Sequence, residues 1–340
     1  MRFGAAIFGL EGLHITDWER AYFREYVPMG FILFARNIDT PDQVRRLCGD
    51  LRSTVGHDAV ILIDQEGGRV QRLRTPYWRE WLPALDQMKI AVDPMRALWL
   101  RYRLIAAELR DVGIDTNCAP ILDITDRLTH PFLRNRCYGD DAVTVMDASR
   151  TVADALLAGG VLPVIKHLPG HGRSSVDSHK ELPRVSAPRC DLEAQDFVPF
   201  VALSDLPMGM TAHVVFEDID DSGPVTTSRL MTEVIRNDIG FNGLLMTDDI
   251  GMEALSGDVA QRSRAAIAAG CDVILHCCGD AAEIVQVGDA AGQMNDAAQT
   301  RIDAALRMRV VPMPVDIASL SAELEVLLGV ELALCHPTKF

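Results

Sequence analysis

The sequence has no CxxC pair, no GxGxxG turn behind an apolar run, no dense cluster of lysine and arginine, and no uninterrupted apolar stretch of membrane-span length. Each absence closes a class of function. Without a CxxC pair a cysteine-ligated zinc module is not expected. The eight cysteines, at 48, 118, 137, 190, 271, 277, 278 and 335, are scattered, several of them inside apolar runs such as CDVILHCC. They read as buried free thiols in a reducing compartment, which points to the cytoplasm. Phosphate binding needs a basic face, and a net charge of −15 without basic runs removes nucleic acid as a partner. The N-terminal apolar run is broken by Gly4, Gly9 and Glu11, too soon for a secretory leader. No segment reaches the ~18 apolar residues expected of a membrane helix, so no membrane partner is expected. What remains, 340 residues with 48% hydrophobic and 24% charged, has the profile of a soluble globular chain.

Eight short apolar runs recur along that length: AAIFGL (5–10), GFILFAR (30–36), DAVILIDQE (58–66), GIDTNCAP (113–120), VLPVIKH (161–167), PMGMTAH (207–213), GLLMTDD (243–249) and CDVILHC (271–277). They are continuous rather than alternating, as strands covered on both faces of a parallel sheet should be. Helical stretches separate them. Thr40-Pro41 and Asp93-Pro94 each pair an N-cap with a first-turn proline, and Gly113 closes the second of those helices. Segments 226–239, 258–269 and 281–291 also carry helical periodicity. Eight strands alternating with helices predict an α/β chain folded as one (β/α)8 barrel spanning 1–340, with a C-terminal helix and tail from about 314. A doubly wound open sheet is the alternative, but it lacks its glycine-rich first turn here.

Most of the predicted strands end in polar residues: Arg36, Asp64 with Glu66, Asp123, His167, His213, Asp248 and His276. In a barrel these ends meet on one face, where the active sites of this fold lie.

Three stretches carry the chemistry. In KHLPGHGRSSVDSHKELP (166–183), Asp177 stands two residues before His179. A bent loop can bring that carboxylate onto the imidazole, fixing its tautomer and favouring its protonated form, which suits a general acid/base. Gly170 and Gly172 would let the loop close over a substrate. A zinc set of His167, His171 and His179 would need a helix, against which Pro169 and Gly170 argue, so no metal is expected. In GLLMTDDIGM, successive strand residues point opposite ways. Asp248 is the candidate nucleophile, and Asp249 suits an N-cap for the next helix. In LIDQEGGRVQRL, the arginines disfavour a carboxylate metal site; Asp64 reads as an acceptor for paired sugar hydroxyls, with Arg72 as a donor.

KH-x-PGHG-x(4)-DSH followed by TDD-x-GM, with DQEGGRVQRL and ILFARNI, resembles the β-N-acetylglucosaminidases of glycoside hydrolase family 3, specifically the single-domain branch of bacterial peptidoglycan recycling. The resemblance runs from about residue 5 to about 280. It implies a retaining mechanism in which Asp248 is the nucleophile, His179 the acid/base and Asp177 its partner. It further implies sugar binding by Asp64, Arg72, Arg136, Lys166 and His167. The implied partner is a small amino sugar or muropeptide, with no cofactor and no need for an oligomer. Two rival readings share the pocket: a phosphorylase, in which phosphate replaces water, and a sugar sensor without catalysis.

Overall fold

The computed structural model describes residues 2–176 and 181–329. Eight parallel strands form its centre: β1 (Gly4–Phe8), β2 (Pro28–Leu33), β3 (Val60–Ile63), β4 (Thr116–Asn117), β5 (Leu162–Leu168), β6 (Met208–Thr211), β7 (Leu244–Met246) and β8 (Ile274–His276). Every residue in these strands is buried, because helices cover one face and the barrel interior the other. The order β8-β1-β2-β3-β4-β5-β6-β7 follows the chain. The ring closes through a parallel bridge between Met246 and Val273, with Asp272 N donating to Leu245 O at 2.8 Å and Thr247 N to Val273 O at 3.2 Å. The (β/α)8 architecture expected from the alternating runs is therefore present.

Where the ladder is short, side chains complete it. The β4 strand has two residues. Beside it, the Asp115 carboxylate accepts from Ile61 N at 2.8 Å and Asn117 Oδ1 accepts from Gln65 N at 3.0 Å. At the β7–β8 seam, Asp272 Oδ2 accepts from Leu245 N at 2.9 Å. Arg236 and Arg301 each approach the Asp272 carboxylate to 2.7 Å. A buried backbone N–H must find a partner, and these side-chain oxygens provide it.

The helix signals operate as the residue types dictate. Thr40 caps Pro41–Val55 by accepting from Gln43 N, Asp93 caps Pro94–Asp111 through Arg96 N, and Asp258 caps Val259–Ala269 through Gln261 N. One expectation changes. The helix predicted from 226 begins at Arg229, capped by Ser228, and its last turn widens over Val234–Asp238. Thr226 sits instead in a short turn, Val225–Thr227, with its hydroxyl engaged elsewhere. At the other end, helix Ile317–Leu328 is fastened to helix Pro94–Asp111 by a bidentate Arg96–Glu323 pair at 2.7 and 2.8 Å. The tail expected beyond it, 330–340, lies outside the described residues.

Candidate active site

At the C-terminal ends of the strands, Asp64, Arg72, Arg136, Lys166, His167 and Asp248 line one cavity of about 310 Å³. The barrel brings these predicted residues together from segments as far apart as β3 and β7. Asp177 and His179 lie outside the described residues, although Val176, just before them, lines the same cavity.

A network of opposite charges forms one wall. Lys166 Nζ lies 3.0 Å from Asp64 Oδ1 and 2.6 Å from Glu66 Oε1. Arg72 reaches the other Asp64 oxygen at 3.0 Å. Arg136 grips Glu66 bidentately at 2.9 and 2.8 Å. Burial opposes ionisation of Asp64 and Glu66, but the cations beside them outweigh it and hold both carboxyls below the usual range. The same pairing overcomes burial at Lys166 and raises its pKa.

Sequence reasoning placed Glu66 on the active-site face without giving it a role, and the structure shows that Glu66 joins Lys166 to Arg136. Its main chain is held as well, since the buried Arg101 donates to its carbonyl oxygen. The turn that follows needs glycine at 67, where φ is 112° and a Cβ would fall 1.9 Å from the Arg101 guanidinium. Replacing Lys166 by Met keeps the bulk but removes one of the two cations that Asp64 and Glu66 each hold, leaving Arg72 and Arg136 in place. The expected loss is about 1.5–3 kcal/mol of folding stability, read as a lower urea midpoint.

The opposite wall comes from β5 and its loop. His167 Nδ1 meets Asp123 Oδ2 at 2.7 Å, while Asp123 Oδ1 accepts from His171 N at 2.7 Å. Asp123 thus fixes both histidines, a role only its strand-end position hinted at. Burial, aided by the neighbouring His167, pushes the His171 pKa down to about 4, so this ring is neutral. In this conformation the loop over 170–175 is packed against the residues after β4. Gly172 packs so closely that a Cβ would fall 1.7 Å from Ile124 O, and Thr129 Oγ1 donates to Gly172 O at 2.5 Å. Glycine here serves close approach rather than motion.

Asp248 stands where β7 gives way to the loop. Burial disfavours its charge, but His213, His167, the Asp249 N–H and Lys166 more than offset that and lower its pKa. Its Oδ1 accepts from Asp249 N at 2.8 Å. Asp249 is not the N-cap expected of it, because Asp258 caps the next helix. Its Oδ1 instead accepts from Gly251 N at 3.0 Å and Cys277 N at 3.1 Å, tying the loop after β7 to the end of β8. An ionised carboxylate in a cavity lined by cationic and neutral polar groups is an arrangement suited to attack on an electrophilic carbon.

Residues 13–311 match the glycosyl hydrolase family 3 N-terminal domain. The chain belongs to glycosyl hydrolase family 3. A β-hexosaminidase of Alkalilimnicola ehrlichii is 36% identical over 284 residues, covering 82% of this chain and 81% of the relative. One from Pseudomonas aeruginosa is 34% identical over 280 residues, covering 81% and 82%. Among solved structures, NagZ from Neisseria gonorrhoeae in complex with N-trifluoroacetyl-D-glucosamine superposes with a TM-score of 0.85 at 27% identity, covering 96% of this chain and 99% of that one. A family 3 β-N-acetylglucosaminidase from Paenibacillus gives 0.84 at 27% identity, covering 94% and 66%. This family 3 member is accordingly a glycoside hydrolase of the β-hexosaminidase type. Among the described residues no helix is long and apolar enough to cross a membrane.

Proposed function

We propose that this chain, as a single catalytic barrel, removes terminal β-linked N-acetylglucosamine from muropeptides in peptidoglycan recycling, with retention of configuration. The observation that carries the reading is a half-buried, ionised Asp248 sharing one cavity with Asp64, Arg72, Arg136, Lys166 and His167. Asp64 and its cationic partners would hold the sugar hydroxyls, the carboxylate accepting and the cations donating. Oδ1 of Asp248 is already engaged by the Asp249 N–H, so Oδ2 is the attacking oxygen.

The reaction then runs in two displacements. Asp248 Oδ2 attacks the anomeric carbon while protonated His179 gives its proton to the departing glycosidic oxygen, leaving a glycosyl ester and a neutral imidazole. His179 next takes a proton from water, and the resulting hydroxide oxygen displaces the aspartate. A free carboxylate and a protonated imidazole are restored. Asp177 would orient His179 and favour its charged form, as a carboxylate beside an imidazole does. Seven free thiols among the described residues favour a reducing, cytoplasmic setting.

A chromogenic N-acetylglucosaminide tested beside the matching glucoside, with and without phosphate, checks the reading. Preferential release of the aryl group from the N-acetylated sugar, with free sugar as product in both buffers, is expected. Sugar 1-phosphate in the phosphate buffer would instead mark a phosphorylase, and binding without turnover a sensor.

A further inference from the structure

The strand end that bears Asp248 is held by an imidazole outside the cavity wall. His213 lies fully buried just beyond β6. Its Nε2 is 3.0 Å from the Asp249 carbonyl oxygen and its Nδ1 is 2.7 Å from Thr226 Oγ1. Thr226 Oγ1 in turn lies 2.8 Å from Thr211 Oγ1, on β6. Burial lowers the pKa of His213, so near neutral pH the ring carries one proton.

The partners decide where that proton sits. A carbonyl oxygen can only accept, so the proton is on Nε2 and is donated to Asp249. Nδ1 is then an acceptor and takes the Thr226 hydroxyl proton at 2.7 Å, the Ala212 carbonyl oxygen lying farther off at 3.3 Å. Thr226 Oγ1 accepts from Thr211 in its turn. Three bonds therefore run one way, from β6 to the residue that follows Asp248. The turn Val225–Thr227 holds Thr226 in place, with Val225 N bonded to Val214 O at 2.9 Å.

Asp249 is gripped at three points. Its carbonyl oxygen faces His213, its carboxylate takes the Gly251 and Cys277 N–H groups, and its own N–H meets Asp248 Oδ1 at 2.8 Å. Fixing the first two sets the backbone angles of Asp249 and hence the direction of its N–H. We propose that His213 is a positioning residue for the nucleophile: its Nε2–H bond to the Asp249 carbonyl aims the N–H that orients the Asp248 carboxylate towards the sugar. The proposal rests on Asp248 being the nucleophile.

Two amide substitutions separate this role from simple core filling. In His213→Gln the side-chain nitrogen reaches the place of Nε2, and in His213→Asn it reaches only that of Nδ1. A displacement of about 1 Å in a reacting group costs about 10²-fold in rate, so His213→Asn should lower kcat by about that factor. KM, and the affinity for free N-acetylglucosamine measured by calorimetry, should stay close to wild type. His213→Gln should recover kcat to within about tenfold of wild type. Equal losses in the two variants, a loss falling mainly on KM, or wild-type kcat in His213→Asn would each overturn the proposal. If His213→Asn does not fold, Thr226→Val removes the donor to Nδ1 at nearly constant size. A fall in kcat at constant KM supports the proposal there, and unchanged kcat overturns it. Asp248→Asn assayed alongside keeps the two readings apart. An active Asp248→Asn defeats the nucleophile assignment itself, whereas an inactive Asp248→Asn beside a fully active His213→Asn defeats only the role given to His213.

Discussion

Asp248→Asn is expected to abolish turnover, with kcat reduced by about 10⁴-fold or more, because the proposed mechanism loses its covalent step and the carboxylate of Asp249 is already committed to the Gly251 and Cys277 N–H groups. The amide is close in size and can still accept from the Asp249 N–H, so folding and affinity for N-acetylglucosamine should survive. The chemistry can also be restored from outside. Asp248→Gly leaves room beside the anomeric carbon, and azide added to it with an activated aryl β-glycoside should yield the α-glycosyl azide, inverted by its single displacement. A near-normal rate in Asp248→Asn would remove the aspartate from the mechanism and leave the charged wall as a binding device only.

His179→Ala should give the second large effect, and one that depends on the leaving group. Loss of a general acid/base costs about 10²–10⁴-fold in rate. For a sugar leaving group, whose oxygen needs a proton as it departs, the whole loss should appear in kcat/KM. A nitrophenyl leaving group departs as a stable anion, so its first step should run nearly unimpaired, and the glycosyl-enzyme should accumulate as a burst in stopped-flow absorbance. Asp177→Asn should fold normally and slow the reaction less than His179→Ala, since the imidazole keeps its place in the chain and loses only its charged partner. Equal losses on sugar and nitrophenyl substrates would take the proton-transfer role away from His179.

The barrel was legible because burial on both faces leaves a strong trace, the continuous apolar run, and because proline, threonine and aspartate mark helix starts by local bonds. The strand-end rule pointed to Asp64, His167 and Asp248 for the same reason, each following directly from the run before it, whereas Lys166 came from the family resemblance. Less visible were residues whose roles come from contacts between distant segments. Glu66 sits two positions after Asp64, but its importance lies in Arg136, 70 residues on, and no local pattern encodes that pairing. Asp249 looked like a helix cap because aspartate before a helix usually is one. The intervening turn, and the Cys277 N–H across the seam, gave its carboxylate another task. Thr226 looked helical for a comparable reason, its hydroxyl being drawn towards His213 instead. The tight contact at Gly172 was not legible because glycine permits both motion and close approach, and the nearby Ile124 carbonyl becomes visible only in the fold.

The staves on either side of the last gap are clasped at the floor of the barrel by Asp272, which is itself clamped by arginines from two different outer helices, Arg236 and Arg301. The stave clasped there is the one whose upper tip carries Asp248. Loosening the clasp would free the ring on the side that carries the proposed nucleophile, so any effect of a change at Arg301 would travel along the stave rather than through the pocket.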